Sequence, residues 1–223
     1  MKNNKKSNKK AAQKKKNMSF NQICGSIIAP IAVVILAVGL IIFGTNSGKE
    51  EKVMTEDNVK VLVEMENGGD FVLELYPDYA PQTVQNFVDL VADGFYDGVG
   101  FHRVVDGFMA QGGDPEGTGM GGSGTTIPGE FAANGFKQNT LSHTRGVISM
   151  ARSQDPDSAS SQFFICYDDA SFLDGQYAAF GKVVEGMETV DGFLDVKRTL
   201  NSMGEEASPV EPITMKKVTI IEE

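Results

Sequence analysis

From residue 58 onward, apolar residues come in short runs separated by stretches rich in glycine, asparagine, aspartate and serine. Val59, Val61 and Val63 alternate with polar neighbours, as do Phe71, Leu73 and Leu75. That period of two marks strands with one covered face. Between the two runs lies Glu66-Asn67-Gly68-Gly69-Asp70, and its Asn-Gly step is a strong hairpin signal. Further short runs fall at 101–105, 108–111, 146–150, 162–166 and 178–184, and alternation returns from Met215 to Glu222. Two helical patterns interrupt them. In one, Pro81 suits the first turn, Val84, Phe87, Val88 and Val91 share a face, and Gly94 suits the end. The other carries Met187, Val190, Phe193 and Leu194. With no strand–helix–strand rhythm and no internal repeat, the chain reads as mainly β, an antiparallel barrel or sandwich.

The front of the chain obeys different rules. Residues 1–22 hold eight lysines and no acid, and residues 23–43 hold no charge at all. Such a run, at about 1.5 Å per residue, spans roughly 30 Å, the thickness of a bilayer's hydrocarbon core. Pro30, Gly25, Gly39 and Gly44 lie in or beside it, which membrane helices tolerate. A removed secretory signal is the competing reading. The run is long for a signal core, and it ends in Leu40-Ile41-Ile42-Phe43-Gly44-Thr45-Asn46 rather than at small residues spaced for cleavage. Cys24 stands at its start, not after it, so it is misplaced for lipid attachment. We therefore expect a basic cytoplasmic tail (1–22), a transmembrane anchor helix (23–43), a polar linker (44–57) and a folded domain (58–223). Positive charge marks the cytoplasmic side, which puts the domain outside the cell membrane on a single-pass anchor.

Charge and cysteines narrow the function. The chain carries −10; its first 22 residues hold +8, which leaves −18 beyond them. So acidic a domain repels nucleic acid. Of the two cysteines, Cys24 falls in the apolar run and Cys166 in a strand, so no disulfide within the domain is expected. Gly117-Thr118-Gly119-Met120-Gly121-Gly122 formally matches a phosphate-binding glycine pattern, but it lacks the strand before and the helix after that such a site needs. It belongs to a glycine-rich stretch from 112 to 139, read as a functional loop or as several short turns on the domain surface. His102 and His143 have no partners at metal-ligand spacing, so no metal is expected. Ser149 sits in Gly146-Val147-Ile148-Ser149-Met150-Ala151, which is not a nucleophile elbow. His143 and a distant aspartate complete a hydrolase triad only on paper.

One stretch departs from ordinary strand chemistry. Phe101-His102-Arg103-Val104-Val105-Asp106-Gly107-Phe108-Met109-Ala110-Gln111-Gly112-Gly113-Asp114 places a cation and an amide among large apolar residues, as at the lip of an apolar pocket. The run resembles the central signature of the cyclophilins, the peptidyl-prolyl cis-trans isomerases. Three further stretches are similar to the family's ordered signatures, in its order and at close to its spacing. They are Gly146 to Ser153, Ser160-Ser161-Gln162-Phe163-Phe164-Ile165-Cys166, and Phe172-Leu173-Asp174-Gly175-Gln176-Tyr177 continuing to Val183. The likeness runs from about residue 58 to 223 and leaves the tail and apolar run outside it. Taken singly, Phe108, Met109, Phe163 and Phe164 read as core, Arg103 as a surface ion pair and Gln162 as a partner for a backbone group. Their joint occurrence in family order outweighs those readings.

The resemblance implies a closed antiparallel eight-stranded β-barrel capped by two α-helices, and an enzyme that rotates Xaa-Pro bonds without a cofactor. It assigns catalysis to Arg103, whose guanidinium donates toward the prolyl nitrogen as it becomes pyramidal. It places Phe108, Met109, Phe164 and Leu173 around the proline ring, and gives Gln111 a substrate carbonyl to hold. Ala151, Arg152 and Ser153 would dock the peptide before proline, largely by main chain, with Gln162 near that groove. Phe172 and Tyr177 complete the rim. Phe172 stands where many eukaryotic members carry Trp, and its missing N–H puts sensitivity to cyclosporin-like macrocycles in doubt. Tyr177 stands where many have His, and Arg152 where Asn is frequent. The expected partners are proline-containing unfolded or newly exported polypeptides, met by a monomer at the outer face of the membrane. The alternative is a module that holds proline segments without turnover.

Overall fold

The computed structural model describes residues 57–221. The basic tail, the expected anchor, nearly all of the linker and the last two residues lie outside the described residues. Among the described residues no helix is long and apolar enough to cross a membrane.

Eight strands close into a barrel in the order β1-β10-β3-β4-β6-β5-β7-β2. They are β1 (Val59–Met65), β2 (Asp70–Leu75), β3 (Gly100–Val105), β4 (Met109–Asp114), β5 (Val147–Met150), β6 (Phe163–Cys166), β7 (Ala179–Glu185) and β10 (Ile213–Ile221). Every pairing is antiparallel. Closure settles the choice between barrel and sandwich, and removes the exposed edges an open sheet would leave. In β1 and β2 the alternation is realised as read: Val61, Val63, Met65, Phe71, Leu73 and Leu75 all face the core. The hairpin between them differs in one respect. Asn67 keeps a negative φ, and Gly68 alone takes the left-handed conformation at φ 91°. Gly68 N–H donates to Met65 O and Met65 N–H to Gly69 O, so the extra residue is accommodated as a bulge.

α1 (Pro81–Ala92) sends Val84, Phe87 and Val91 into the barrel core. Phe87 lies 4.9 Å from the Tyr96 ring, 5.6 Å from Phe163 and 5.3 Å from Phe180. Its N-terminus has no capping side chain of its own, since Ala80 precedes Pro81. Glu130, 1 % exposed, supplies the cap from a distant loop. It accepts from Gln82 N–H at 3.0 Å, Thr83 N–H at 2.8 Å and the Thr83 hydroxyl at 2.7 Å. Helix-start donors have no intrahelical partner, and a carboxylate there also meets the positive end of the helix dipole. Glu130→Ala should therefore cost about 2–3 kcal/mol of stability, measured by urea unfolding, and Glu130→Gln less. The second helical pattern is realised as a short α2 (Met187–Asp191) that tightens into a 3₁₀ turn over Gly192–Asp195. Val190 and Phe193 from it enter the same core.

Two strands lie outside the barrel. β8 (Arg198–Leu200) pairs with β9 (Glu206–Pro209) in a separate ribbon, and β9 lies against β3. The sequence shows no alternation there. The glycine-rich stretch after β4 proves to be a succession of turns, with one 3₁₀ turn at Ala132–Asn134 and a single bridge from Ile127 to Ala159.

Candidate active site

β6 reads as four consecutive apolar residues because both of its faces are covered. Phe163 and Ile165 point into the barrel core, whereas Phe164 and Cys166 join a second apolar cluster with Met109, Ala170 and Leu173. Successive strand residues face opposite sides, so this second cluster lies on the barrel's outer surface. Its members Met109, Phe164 and Leu173 floor a cavity of about 320 Å³. Phe108, Met109, Phe164 and Leu173 supply its apolar lining; Arg103, Gln111, Ala151, Arg152 and Tyr177 complete the wall.

The register explains the polar lip. Arg103 on β3 faces Gln111 on β4, and Gln111 faces Phe164 on β6. The Arg103 Nη1 donates to Gln111 Oε1 at 3.4 Å and points toward the Met109 sulfur at 3.9 Å. Gln111 Nε2 donates to Gln162 Oε1 at 2.9 Å, and Gln162 Nε2 to the Gly121 carbonyl at 2.8 Å. This amide chain leads into a second cavity, of about 290 Å³. Ser153 and Gln162 line that second space rather than the first, while Gln111, Ala151 and Arg152 border both.

Phe172, expected at the rim, stands apart from the other residues of that set. It lines neither cavity and is 64 % exposed. A 3₁₀ turn over Ser171–Leu173 rotates successive side chains by about a third of a turn. Leu173 therefore enters the cavity and Phe172 stands outside, with its ring 5.7 Å from Phe108. Arg152 is held rigidly for a surface residue. Its guanidinium lies 4.5 Å over the Tyr177 ring and 5.1 Å over Phe131, and donates to the carbonyls of Gln176 and Ser153.

Asp114 shapes the wall of the second cavity. Burial raises its pKa, but N–H donors from Glu116, Gly121 and Gly119 outweigh that and hold it below the usual carboxylate range. Those bonds, with one from the Thr118 hydroxyl, bind residues 115–121 into one tight loop.

A residue the sequence reading missed is Glu205, in the turn between β8 and β9. Arg103 Nε donates to its Oε2 at 2.7 Å and Nη2 to its Oε1 at 2.9 Å, a two-pronged ion pair. The Arg103 hydrogen bond holds the Glu205 carboxyl below its ordinary pKa, against the opposing pull of burial. The two residues are 102 positions apart, and no motif links them.

The triad dismissed on paper exists as a hydrogen-bonded array. His143 Nδ1 lies 2.8 Å from Asp174 Oδ1, and its Nε2 lies 3.0 Å from Ser149 Oγ. Ser149 and His143 are both fully buried, however, so no acyl group reaches the hydroxyl. The array is a polar strut behind Phe164, whose ring stacks on His143 at 6.0 Å. Burial pushes the Cys166 thiol up to about 12, which leaves it unreactive at neutral pH.

Burial also lowers the pKa of both histidines from 6.5; for His143 it outweighs the opposing pull of Asp174. A depressed folded pKa means the unfolded chain binds the proton more readily. The stabilisation is thus complete above about pH 6.5 and is lost as pH falls through the folded values. Urea midpoints should be flat from pH 8 to 7 and should drop by pH 5.5. A midpoint that rises on acidification would contradict this.

Fold and site together define a closed β-barrel with an apolar-floored cavity on its outer surface, bordered by the guanidinium groups of Arg103 and Arg152. Residues 60–220 match the family model described as "Cyclophilin type peptidyl-prolyl cis-trans isomerase/CLD". A probable peptidyl-prolyl cis-trans isomerase of Brucella suis is 41% identical over 178 residues, covering 74% of this chain and 83% of that protein. Peptidyl-prolyl cis-trans isomerase B of Bacillus subtilis is 46% identical over 124 residues, covering 56% of this chain and 82% of that protein. A crystal structure of a Cryptosporidium parvum cyclophilin-type isomerase overlays with a TM-score of 0.65 at 31% identity, covering 75% of this chain and 99% of that one. The chain belongs to the cyclophilin family, and its enzyme class is peptidyl-prolyl cis-trans isomerase.

Proposed function

We propose that this isomerase acts on unfolded and newly exported polypeptides at the outer face of the cell membrane, tethered there by residues 23–43 and working as a monomer. The observation that carries the catalytic part is Arg103 at the lip of a cavity whose apolar lining is Phe108, Met109, Phe164 and Leu173. Rotation about an Xaa-Pro amide faces a barrier of about 18–20 kcal/mol, set by C–N double-bond character. In the twisted state the prolyl nitrogen becomes pyramidal and regains its lone pair. The proline ring enters the slot between Phe108, Met109, Phe164 and Leu173, and the Arg103 Nη1 N–H finds that lone pair in place of the Met109 sulfur. A thioether is a weak acceptor, so little is lost in the exchange. The planar isomers offer no such lone pair, so the bond favours the transition state selectively.

Gln111 holds the substrate carbonyl, and the residues before proline run along Ala151, Arg152 and Ser153 toward the second cavity and Gln162. Phe172 acts from outside, by backing Phe108. A Cryptosporidium parvum relative crystallised in the presence of the dipeptide Ala-Pro, 32% identical with a TM-score of 0.64, supports a proline-containing ligand. The anchored topology rests on the uncharged run and the lysines before it.

Two experiments test the proposal. Proline-limited refolding phases take about 10–100 s, and the full-length chain should shorten that phase for a small exported protein. Protease added to intact cells should remove the domain and spare the tail. A domain that resists protease until the cells are lysed, or a mature chain that begins near residue 45, would overturn the topology.

A further inference from the structure

We infer that Glu205 is a positioning residue for Arg103, an inference that rests on the reading of Arg103 given above. An arginine side chain on a strand surface has many rotamers. Here it is only part-exposed, with 23% of the Arg103 side chain and 32% of the Glu205 side chain accessible. The carboxylate takes the Nε N–H and one Nη2 N–H, which together fix the plane of the guanidinium. Gln111 takes an Nη1 N–H. Of the two N–H groups that remain, one is on Nη2 and the other is the Nη1 donor that faces the sulfur of Met109, a residue of the cavity lining. Glu205 thus occupies the edge of the guanidinium that the substrate does not need, and turns the needed edge into the slot.

The carboxylate is itself built in. The Asn201 side chain donates from Nδ2 to Glu205 Oε2 at 3.1 Å, and its Oδ1 accepts from the N–H groups of Met203 and Glu205 at 2.9 and 3.0 Å. Asn201 N–H donates to Glu205 O at 2.8 Å, and Gly204 N–H to Asn201 O at 3.0 Å. One asparagine therefore organises the turn and aims its last residue. A surface ion pair formed by chance would have neither a two-pronged geometry nor a dedicated second support. The ribbon of β8 and β9, which contributes nothing to barrel closure, has a purpose on this view: it carries the clamp to the catalytic strand.

The alternative is that Glu205 restrains the guanidinium and that its removal would speed the reaction. The two readings predict opposite signs. The test measures catalysed exchange of an Xaa-Pro tetrapeptide by NMR with the full-length chain in four forms: wild type, Glu205→Ala, Arg103→Ala and the double variant. Glu205→Ala should lower kcat about tenfold, since misplacing a reacting group by even 1 Å can cost roughly 10²-fold. The peptide Kd should stay within about twofold and the melting temperature within a few degrees. Glu205→Gln, which keeps the shape and one acceptor, should fall between Glu205→Ala and wild type. In the Arg103→Ala background, Glu205→Ala should have no further effect, because nothing is left to position. An unchanged or raised kcat, or an equal loss in both backgrounds, would overturn the inference. A wild type without exchange activity would overturn the reading of Arg103 and this inference with it. An active wild type whose activity survives Glu205→Ala would overturn this inference alone.

Discussion

Replacing Arg103 with alanine is expected to lower kcat/KM for Xaa-Pro exchange by roughly 10²-fold or more, the usual cost of deleting a donor that acts only on the transition state. The peptide Kd should change by less than about threefold, because the apolar floor and the groove beside Ala151, Arg152 and Ser153 remain. Arg103→Lys should recover little. A lysine supplies charge but not the planar fork that fits Glu205 on one edge and the slot on the other. The folded state should tolerate both changes, since Arg103 is part-exposed and contributes nothing to the barrel core. Loss of peptide binding in parallel with turnover would mean that Arg103 holds the ground state, and the catalytic assignment would fail.

The second large effect is structural. Gly113→Ala should destabilise the domain by about 3–5 kcal/mol, combining the left-handed penalty for a residue with a Cβ and the strain of overpacking. Gly113 has φ 86°, and a Cβ there would meet the Ser161 carbonyl oxygen, with Phe163 Cδ1 at 3.0 Å and Gln162 Cα at 3.1 Å. The carbonyl cannot simply move away. The buried Tyr96 hydroxyl donates to it at 3.0 Å, and the Ser161 hydroxyl donates back to Gly113 O at 2.7 Å. The two chain segments are thus locked where β4 passes the entrance to β6. For a domain of this size the melting temperature should fall by roughly 6–20 °C. Activity should fall as well, since Gln111 and Gln162 flank the contact. Gly68→Ala is the control. Its φ is 91°, but a Cβ there meets nothing within 4 Å, so only about 1–2 kcal/mol is expected. Equal melting temperatures for the two variants would contradict the steric argument.

Much of this molecule is visible in its sequence, and the reasons are local. β1 and β2 alternate because one face of each packs inward, and α1 declares itself by Pro81, its apolar stripe and Gly94. β6 is visible as an apolar run, but its division between two clusters is not, since that depends on what covers its outer face. The β8–β9 ribbon leaves no signal: Arg198-Thr199-Leu200 and Glu206-Ala207-Ser208-Pro209 have no sustained alternation, and their pairing is fixed by the turn around Asn201. The helix expected around Met187 to Leu194 shortens to five residues before tightening, because apolar spacing does not distinguish an α-turn from a 3₁₀ turn.

Of the residues that the resemblance named, Arg103, Phe108, Met109, Gln111, Ala151, Arg152, Phe164, Leu173 and Tyr177 line the first cavity, Ser153 and Gln162 line the second, and Phe172 lines neither. What the resemblance could not supply was partnership. Gln111 beside Arg103 follows from strand register, Gln162 beside Gln111 from the next pairing, and Glu205 from a ribbon that reaches the site from more than a hundred residues away. Composition marked the domain as acidic; only coordinates show which single acid meets the arginine.

The central claim is that the slot and Arg103 together turn over Xaa-Pro bonds. The most direct measurement is two-dimensional NMR exchange on an Ala-Pro-containing peptide, with the full-length chain present at about one part in a hundred. The account predicts cis–trans exchange cross-peaks within a mixing time of a second, from a process that otherwise takes tens to hundreds of seconds. Peptide resonances that shift on binding while the exchange rate stays at its uncatalysed value would contradict it, and would mark the chain as a holder of proline segments.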